Sequence, residues 1–384
     1  MNSIYRQCSR CVMDNAGDER ITFDEEGVCN YCHSYRQLHD SMVPDSEEAA
    51  RLLASKTAEI RKAGEGKPYD CILGLSGGVD SSYLAYVASR QGLRPLCIHF
   101  DNGWNSEMAV QNIHHIVHKL GFDLETYVID WNEFRDLQRA YIKAGVIDIE
   151  ALTDHAIFAS IYHLAFRMGI KYVLSGSNVV TEGILPSHWT HRKSDYVNII
   201  HIHNKFGTVR LRSFPLIDKK TKDKIKSWGL ETVELLNWVP YHKAQAKAVL
   251  QEELGWQDYG GKHYESVFTK FYQAYILPVK FKVDKRKAHL STLICSGQAT
   301  REEALMELEK PLYAPEELRK DKEYVLKKLG FTEEEFDRMM REKPVPHSSF
   351  EVEGSLFHYY PVMKPLRPLW TAIKKLRGLP SPEA

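Results

Sequence analysis

The spacing of apolar and polar positions changes character at about residue 69. Before it, "SEEAARLLASKTAEIRKAG" is a polar, helix-compatible stretch opened by a cap at Ser46 or Asp45. After it, short apolar runs alternate with amphipathic segments. "DCILGLS" reads as a buried strand and "DSSYLAYVASRQG" as a helix closed by Gly92. "RPLCIHFD" is the next strand, "SEMAVQNIHHIVHKLG" a helix and "LETYVID" a third strand. A helical stretch near 132–143 follows, then the helix "TDHAIFASIYHLAFRMG" and a fourth strand, "KYVLSGS". Strand and helix alternate, with glycine closing several helices, and this predicts an α/β fold: a parallel sheet with helices on both faces.

The rhythm breaks after about residue 180, where "EGILPSHWTHRKSDYVNIIHIHNKFG" has no clean period. From about 230 to 340 the signal is mostly helical, with capping boxes and i,i+4 charge pairs in "TREEALMELEK" and "TEEEFDRMMREK". The expected organisation is a cysteine-bearing module at 1–40, a connecting helix at 41–66 and the α/β domain at 67–230. A mainly helical domain at 231–345 and a C-terminal extension at 346–384 complete it, the last residues "LPSPEA" being expected to be disordered. No internal repeat is visible.

Composition narrows the class. Basic and acidic residues balance at 51 each, which counts against a general nucleic-acid binder. No run approaches the ~18 apolar residues of a membrane span, and the N-terminus does not read as a signal peptide, so a cytoplasmic enzyme without stable membrane insertion is expected. Seven cysteines without a secretion signal agree with a reducing compartment.

The first strand runs into "SGGVDSS", residues 76–82. A strand-to-helix loop exposes unpaired N–H groups at the positive end of the helix dipole, and these favour an anion. Gly77 and Gly78 remove side chains so that a phosphate can approach, and Ser76, Ser81 and Ser82 offer hydroxyl donors. The lysine of a Walker-type loop is missing, and Asp80 stands nearby. A carboxylate beside a phosphate requires a divalent cation between them. The combination suits holding the pyrophosphate part of ATP while the α-phosphorus is attacked.

These seven residues, directly after a buried strand, resemble the signature of the PP-loop (N-type) ATP pyrophosphatases, the group of GMP, asparagine and NAD synthetases and of tRNA-thiolating enzymes. The resemblance implies ATP and Mg²⁺ as cofactors, with Asp80 on the metal. It also implies adenosine contacts from "HFDNGW", including Phe100 and Asp101, and a second nucleotide turn at "SGSN", including Gly176 and Asn178. Asp154, at the start of a helix, is either a metal ligand or an N-cap.

Cys8, Cys11, Cys29 and Cys32 form C-x₂-C-x₁₇-C-x₂-C, a spacing suited to two hairpins that bind one structural Zn²⁺. An iron–sulfur cluster and a redox disulfide pair are the alternatives. Cys71 and Cys97 fall in predicted core strands and read as inert buried thiols; Cys295 has no clear reading.

The phosphate loop fixes the activation step and leaves the acceptor open. Ammonia entering an activated carbonyl and sulfur entering a tRNA base are the two competing classes. From "CSRCVMD" through "TEGILPSHW" and "NWVPYHKAQAK" to "GGKHYESVFTKFYQAYILPVKFKVDKRKAHLSTLICSGQ", residues 5–313 resemble the N-acetyl sugar amidotransferases of bacterial surface-polysaccharide biosynthesis. That resemblance implies an N-acetylated, nucleotide-linked sugar whose acetamido group becomes acetamidino. It also implies ammonia from a separate glutaminase working with a companion barrel protein. Asn2 rules out an N-terminal cysteine nucleophile after processing, and no cysteine stands in a nucleophile elbow. Candidate site residues are Glu182, for Mg²⁺ or for orienting the reactants, and His188 and Trp189, for a sugar ring. The alternative for this stretch is a surface loop anchored by apolar residues. Lys285, Arg286 and Lys287 lie in a run of five basic residues against one acid at 280–289, which reads either as an anion site or as a solvated charged strand. The run at 218–226 reads as a solvated helix start. "LWTAIKKLRG", at 369–378, is amphipathic and packs on the enzyme or touches a partner or membrane.

Overall fold

A computed structural model describes residues 4–260 and 265–354. Five strands form one parallel sheet: β1 (Cys71–Gly74), β2 (Pro95–Asp101), β3 (Asp123–Val128), β4 (Tyr172–Leu174) and β5 (Glu231–Val233). Their order is β3-β2-β1-β4-β5, so the chain reverses its direction of travel between β1 and β4. Leu73 of β1 lies between Cys97 of β2 and Leu174 of β4. Ile72 points to one face, against Ile161 and Leu164 of the helix Ala151–Met168. Cys71 and Leu73 point to the other, against Leu84, Ile113 and Leu250 from three helices. Burial on both faces explains why β1, β2 and β4 read as apolar runs, whereas the edge strand β3 buries none of its residues.

The four expected strands are present, and β5 is an addition. It is three residues long with only Val233 buried, so it carries no apolar run. It pairs with β4 from just beyond residue 230, and the sheet therefore continues past the expected boundary. Asp45 is the cap of the helix Ser46–Ala63 and accepts from the amides of Glu47 and Glu48. The helix Lys219–Trp228 buries none of its residues, as its charge run suggests.

The C-terminal region is helical, and the capping boxes Thr300/Glu303 and Thr332/Glu335 both form. The basic run at 280–289 is no strand. A ten-residue π-helix, Tyr272–Phe281, ends at Lys282 with φ 60°, and Asp284 then caps the helix Lys285–Cys295. Among the described residues no helix is long and apolar enough to cross a membrane. The amphipathic stretch at 369–378 and the terminal "LPSPEA" lie outside the described residues.

The N-terminal module differs from a pair of hairpins. Cys29 is the N-cap of the helix Asn30–Met42, so the second cysteine pair sits on a helical first turn. The module joins the C-terminal helices in one core, in which Val12 N–H donates to Ser291 Oγ (3.3 Å) and Arg301 donates to the carbonyls of Cys8 and Cys11.

Candidate active site

The reversal between β1 and β4 leaves a crevice at the carboxyl ends of the strands, where open α/β sheets place ligands. Two cavities open there. The larger, about 650 Å³, is lined by Gly78, Asp80, Ser81, Glu182 and Lys285 among others. The smaller, about 270 Å³, is lined by residues at the ends of β1, β2 and β4, including His99, Phe100 and Ser175. Ser76, Gly176 and Glu265 line both.

The loop between β1 and the helix Val79–Arg90 requires its glycines. Gly77 has φ +80°, and a Cβ there would lie 2.5 Å from the Ala109 carbonyl oxygen. A Cβ on Gly176 would lie 3.1 Å from Ser81 N, so the turn after β4 packs on the phosphate loop more tightly than a side chain there would allow without a shift. Gly78 caps the helix with no side chain of its own, which leaves the first-turn amides to face the larger cavity. Ser76 Oγ and Ser81 Oγ are 3.1 Å apart at the loop mouth. Ser82 does not share this position: it is fully buried in the helix and lines neither cavity.

Asp80 sits in the first turn of that helix. Its Oδ1 accepts the Tyr241 hydroxyl and lies 3.5 Å from Asn178 Nδ2. Glu182 lines the same cavity, so two carboxylates flank the phosphate loop. Asp80 Oδ2 accepts no hydrogen bond from any described residue, which leaves that oxygen for a divalent cation. On the other side of the loop, Trp256 Nε1 donates to the Gly77 carbonyl (2.8 Å).

In the smaller cavity Phe100 stacks on Tyr127 at 5.6 Å. Asp101 turns away: it accepts from Gly103 N–H and Asn105 Nδ2, shaping its own loop and lining neither cavity. His99 replaces it as the polar contact of this strand end. One ring nitrogen meets the Leu75 carbonyl (3.2 Å) and the other Asn105 Nδ2 (3.1 Å), and burial holds the ring below its ordinary pKa. Asn178 caps the short helix Val179–Glu182 and fixes the turn around Gly176.

Asp154 is no N-cap, a place taken by Glu150. It pairs with Lys193 (2.9 Å), which also pairs with the buried Asp148 (2.7 Å). Asp154 lines the smaller cavity whereas Asp80 and Glu182 line the larger, so the three carboxylates do not converge on one point. Glu150 accepts the Thr269 hydroxyl (3.0 Å), and burial beside Asp154 pushes its carboxyl up to about 8. Lys285 faces this acidic group, and burial lowers its pKa. No described carboxylate forms an ion pair or hydrogen bond with it.

The other proposed substrate residues serve the scaffold. Trp189 is buried, and His188 Nε2 lies 2.9 Å from Asp18 Oδ1 of the N-terminal module. Neither lines a cavity. Arg286 reaches the larger cavity but spends its guanidinium on Asp284 and the carbonyls of Glu307 and Lys310. Lys287 pairs with Asp14. Glu150, Lys193 and Trp256 lie outside the quoted motifs; His99 opens "HFDNGW" and Tyr241 lies in "NWVPYHKAQAK", but neither stands out there, and the proximity of all five comes from the tertiary fold.

Cys8, Cys11, Cys29 and Cys32 converge, with their sulfur atoms all within 4.8 Å of one another. Neighbouring Sγ atoms are 3.7–3.9 Å apart. A tetrahedron with Zn–S near 2.3 Å requires about 3.8 Å, so the set fits a closed structural zinc site. The Cys29 amide points at Cys8 Sγ (3.2 Å), which favours the thiolate. Cys295 adds a fifth sulfur 3.6 Å from Cys32 Sγ. Cys71 and Cys97 are fully buried in β1 and β2, where burial raises both thiols, Cys97 to about 12.

Two family models match the chain. Residues 70–231 match the asparagine synthase family, and residues 265–364 match the C-terminal domain of the WbpG-like LPS biosynthesis proteins. Among solved structures, NMN synthetase from Francisella tularensis is similar at 15% identity, over 60% of this chain and 93% of that one, with a TM-score of 0.29. NH3-dependent NAD synthetase from Campylobacter jejuni is similar at 14% identity, over 55% and 94%, with a TM-score of 0.28. No curated protein matches.

Proposed function

We propose that this chain, which joins a PP-loop domain of asparagine-synthase type to a WbpG-like domain of LPS biosynthesis, is an ATP-dependent amidotransferase acting on an N-acetylated, nucleotide-linked sugar. The observation that carries the reading is the pair of cavities meeting at a lysine-free phosphate loop. The smaller matches the adenosine half of ATP, and the larger has room for the sugar. The α-phosphorus then belongs at their junction, beside Ser76 and Gly176.

In this reading the loop amides and the helix dipole hold the departing pyrophosphate. Asp80 and Glu182 would hold Mg²⁺, whose charge offsets that of the phosphates. The acetamido oxygen attacks the α-phosphorus, the bond to pyrophosphate breaks, and the amide N–H proton is released. The resulting O-adenylyl imidate has a good leaving group on a carbon that ammonia otherwise cannot attack. Ammonia adds there, AMP leaves with the original oxygen, and loss of a proton gives the acetamidino group. Water must be kept from the junction at this stage, because it would return the amide. Lys285, a half-buried lysine on the larger cavity, is the chain's candidate for an acidic group of the acceptor.

We assign the ammonia supply to a separate glutaminase with its barrel companion. The placement of the cysteines supports this: four form the metal cluster, Cys71 and Cys97 are sealed in strands, and Cys295 lies against Cys32. The same placement disfavours a persulfide carrier for tRNA thiolation. The test incubates candidate nucleotide sugars with ATP, Mg²⁺ and ammonium and reads the product by mass spectrometry. The reading requires a product lighter by the difference between an oxygen atom and an NH group. An unchanged panel of acetamido sugars, with sulfur incorporated into tRNA instead, would overturn it.

A further inference from the structure

Residues 232–264 fall between the two matched ranges, yet two side chains from this stretch hold the phosphate loop from opposite sides. We propose that Tyr241 is a positioning residue for the divalent cation: its hydroxyl occupies Asp80 Oδ1 so that Oδ2 is presented to the metal. The inference rests on reading the loop as a Mg²⁺–ATP site.

The geometry is specific. Both neighbours of the Asp80 carboxylate, Tyr241 Oη and Asn178 Nδ2, lie on Oδ1, and no described residue donates to Oδ2. Asp80 is the second residue of its helix, inside the Gly78 cap, so its carboxylate is not held by first-turn amides as those of the caps Asp45 and Asp218 are and is free to rotate. Here the phenol removes that freedom. Tyr241 itself has little freedom: it is buried, its ring lies 5.3 Å from that of Tyr83, and its carbonyl accepts from Gln298 Nε2 (3.0 Å). Asn178 is fixed in turn, because its Oδ1 accepts from the Thr181 amide and hydroxyl. Trp256, donating to the Gly77 carbonyl, holds the loop backbone opposite. The ligand oxygen is thus oriented before nucleotide arrives, and the orientation comes through Gln298 from the C-terminal domain. Partners of metal ligands commonly set affinity in this way.

The test measures Mn²⁺ in place of Mg²⁺, by the electron paramagnetic resonance of the free ion. The full-length protein is saturated with an ATP analogue carrying methylene between the α- and β-phosphorus. Tyr241→Phe keeps the ring and removes only the hydroxyl. It should weaken Mn²⁺ binding about tenfold, the lower end of the usual effect of such partners, while metal-free nucleotide binding and thermal midpoint stay near wild type. Tyr83→Phe, which keeps the same aromatic packing beside Tyr241, should leave Mn²⁺ binding unchanged. Wild-type Mn²⁺ affinity in Tyr241→Phe, or an equal loss in Tyr83→Phe, overturns the proposal. No sugar or ammonia enters this assay. A weakened Mn²⁺ site in an enzyme that makes no amidine would therefore sustain the positioning role while sinking the amidotransferase reading.

Discussion

Acidifying from about pH 7 to about pH 5 should cost roughly 4 kcal/mol at two buried histidines, offset by an opposite gain of about 2–3 kcal/mol at Glu150, whose raised carboxyl takes up its proton more readily in the folded protein. His155 sits on the helix Ala151–Met168. Its Nδ1–H donates to the Lys193 carbonyl (2.7 Å), and its Nε2 accepts from the Ile217 amide (2.8 Å). A proton on Nε2 would set two donors against each other in a buried site. His347 repeats the arrangement, with Nδ1 on Asn198 Oδ1 (2.8 Å) and Nε2 toward the Asp148 amide (3.4 Å). Burial, the leading cause for both, lowers His155 to about 4 and His347 to about 3 from an ordinary 6.5. A histidine with a depressed folded-state pKa stabilises fully above its unfolded pKa. That contribution declines as pH falls from 6.5 toward the folded value. At about pH 5 each ring has crossed roughly 1.5 units of this window, or about 2 kcal/mol at 1.36 kcal/mol per unit. The depressed carboxylates Asp136, Asp148 and Asp195 act in a lower window, below about pH 4. Urea unfolding at the two pH values, on wild type and His155→Gln, reads the effect. The variant should be less stable at neutral pH and lose about 2 kcal/mol less on acidification. Equal losses in the two proteins would refute the assignment of His155 as a locked neutral ring.

Gly77→Ala should weaken ATP binding more than tenfold: the left-handed backbone alone costs on the order of 1–3 kcal/mol in a non-glycine residue, and the new Cβ meets the Ala109 carbonyl oxygen. Equilibrium binding of a nucleotide analogue checks this. Zinc should be present at one ion per chain by elemental analysis, and Cys29→Ser should lose it together with several degrees of thermal midpoint, because the module shares a core with the C-terminal helices. Lys285→Met should raise the KM for an acidic acceptor about tenfold or more while changing the KM for ATP little, as expected of a half-buried cation facing the larger cavity. Steady-state kinetics with each substrate varied in turn would show it.

The parts legible in the sequence were those with local causes. Strands buried on both faces wrote apolar runs, Gly77 and Gly78 marked the phosphate loop, and cysteine spacing marked the cluster. β5 left no mark, because two of its three residues are exposed. His188 and Trp189 suggested a sugar platform by residue type, but their neighbours are a distant aspartate, Asp18, and the core. Lys287 belonged to a charge run whose partner, Asp14, is 273 positions away. Tyr241 and Trp256 were unreadable for the same reason. Each acts on a loop more than 150 positions earlier in the chain, at separations of 161 and 179. Asp154 misled differently: a helix-start acid is expected to cap or ligate, and here Lys193, 39 positions later, takes it.

The central claim is cleavage between the α- and β-phosphorus of ATP for nitrogen transfer to an amide. Its most direct measurement is the identity of the spent nucleotide, resolved by chromatography with Mg²⁺, an N-acetylated nucleotide sugar and ammonium supplied together and each left out in turn. AMP and pyrophosphate, in equal amounts with amidine product and abolished by Asp80→Asn in a folded protein, are the predicted result. ADP and orthophosphate, or undiminished turnover with Asp80→Asn, would contradict it.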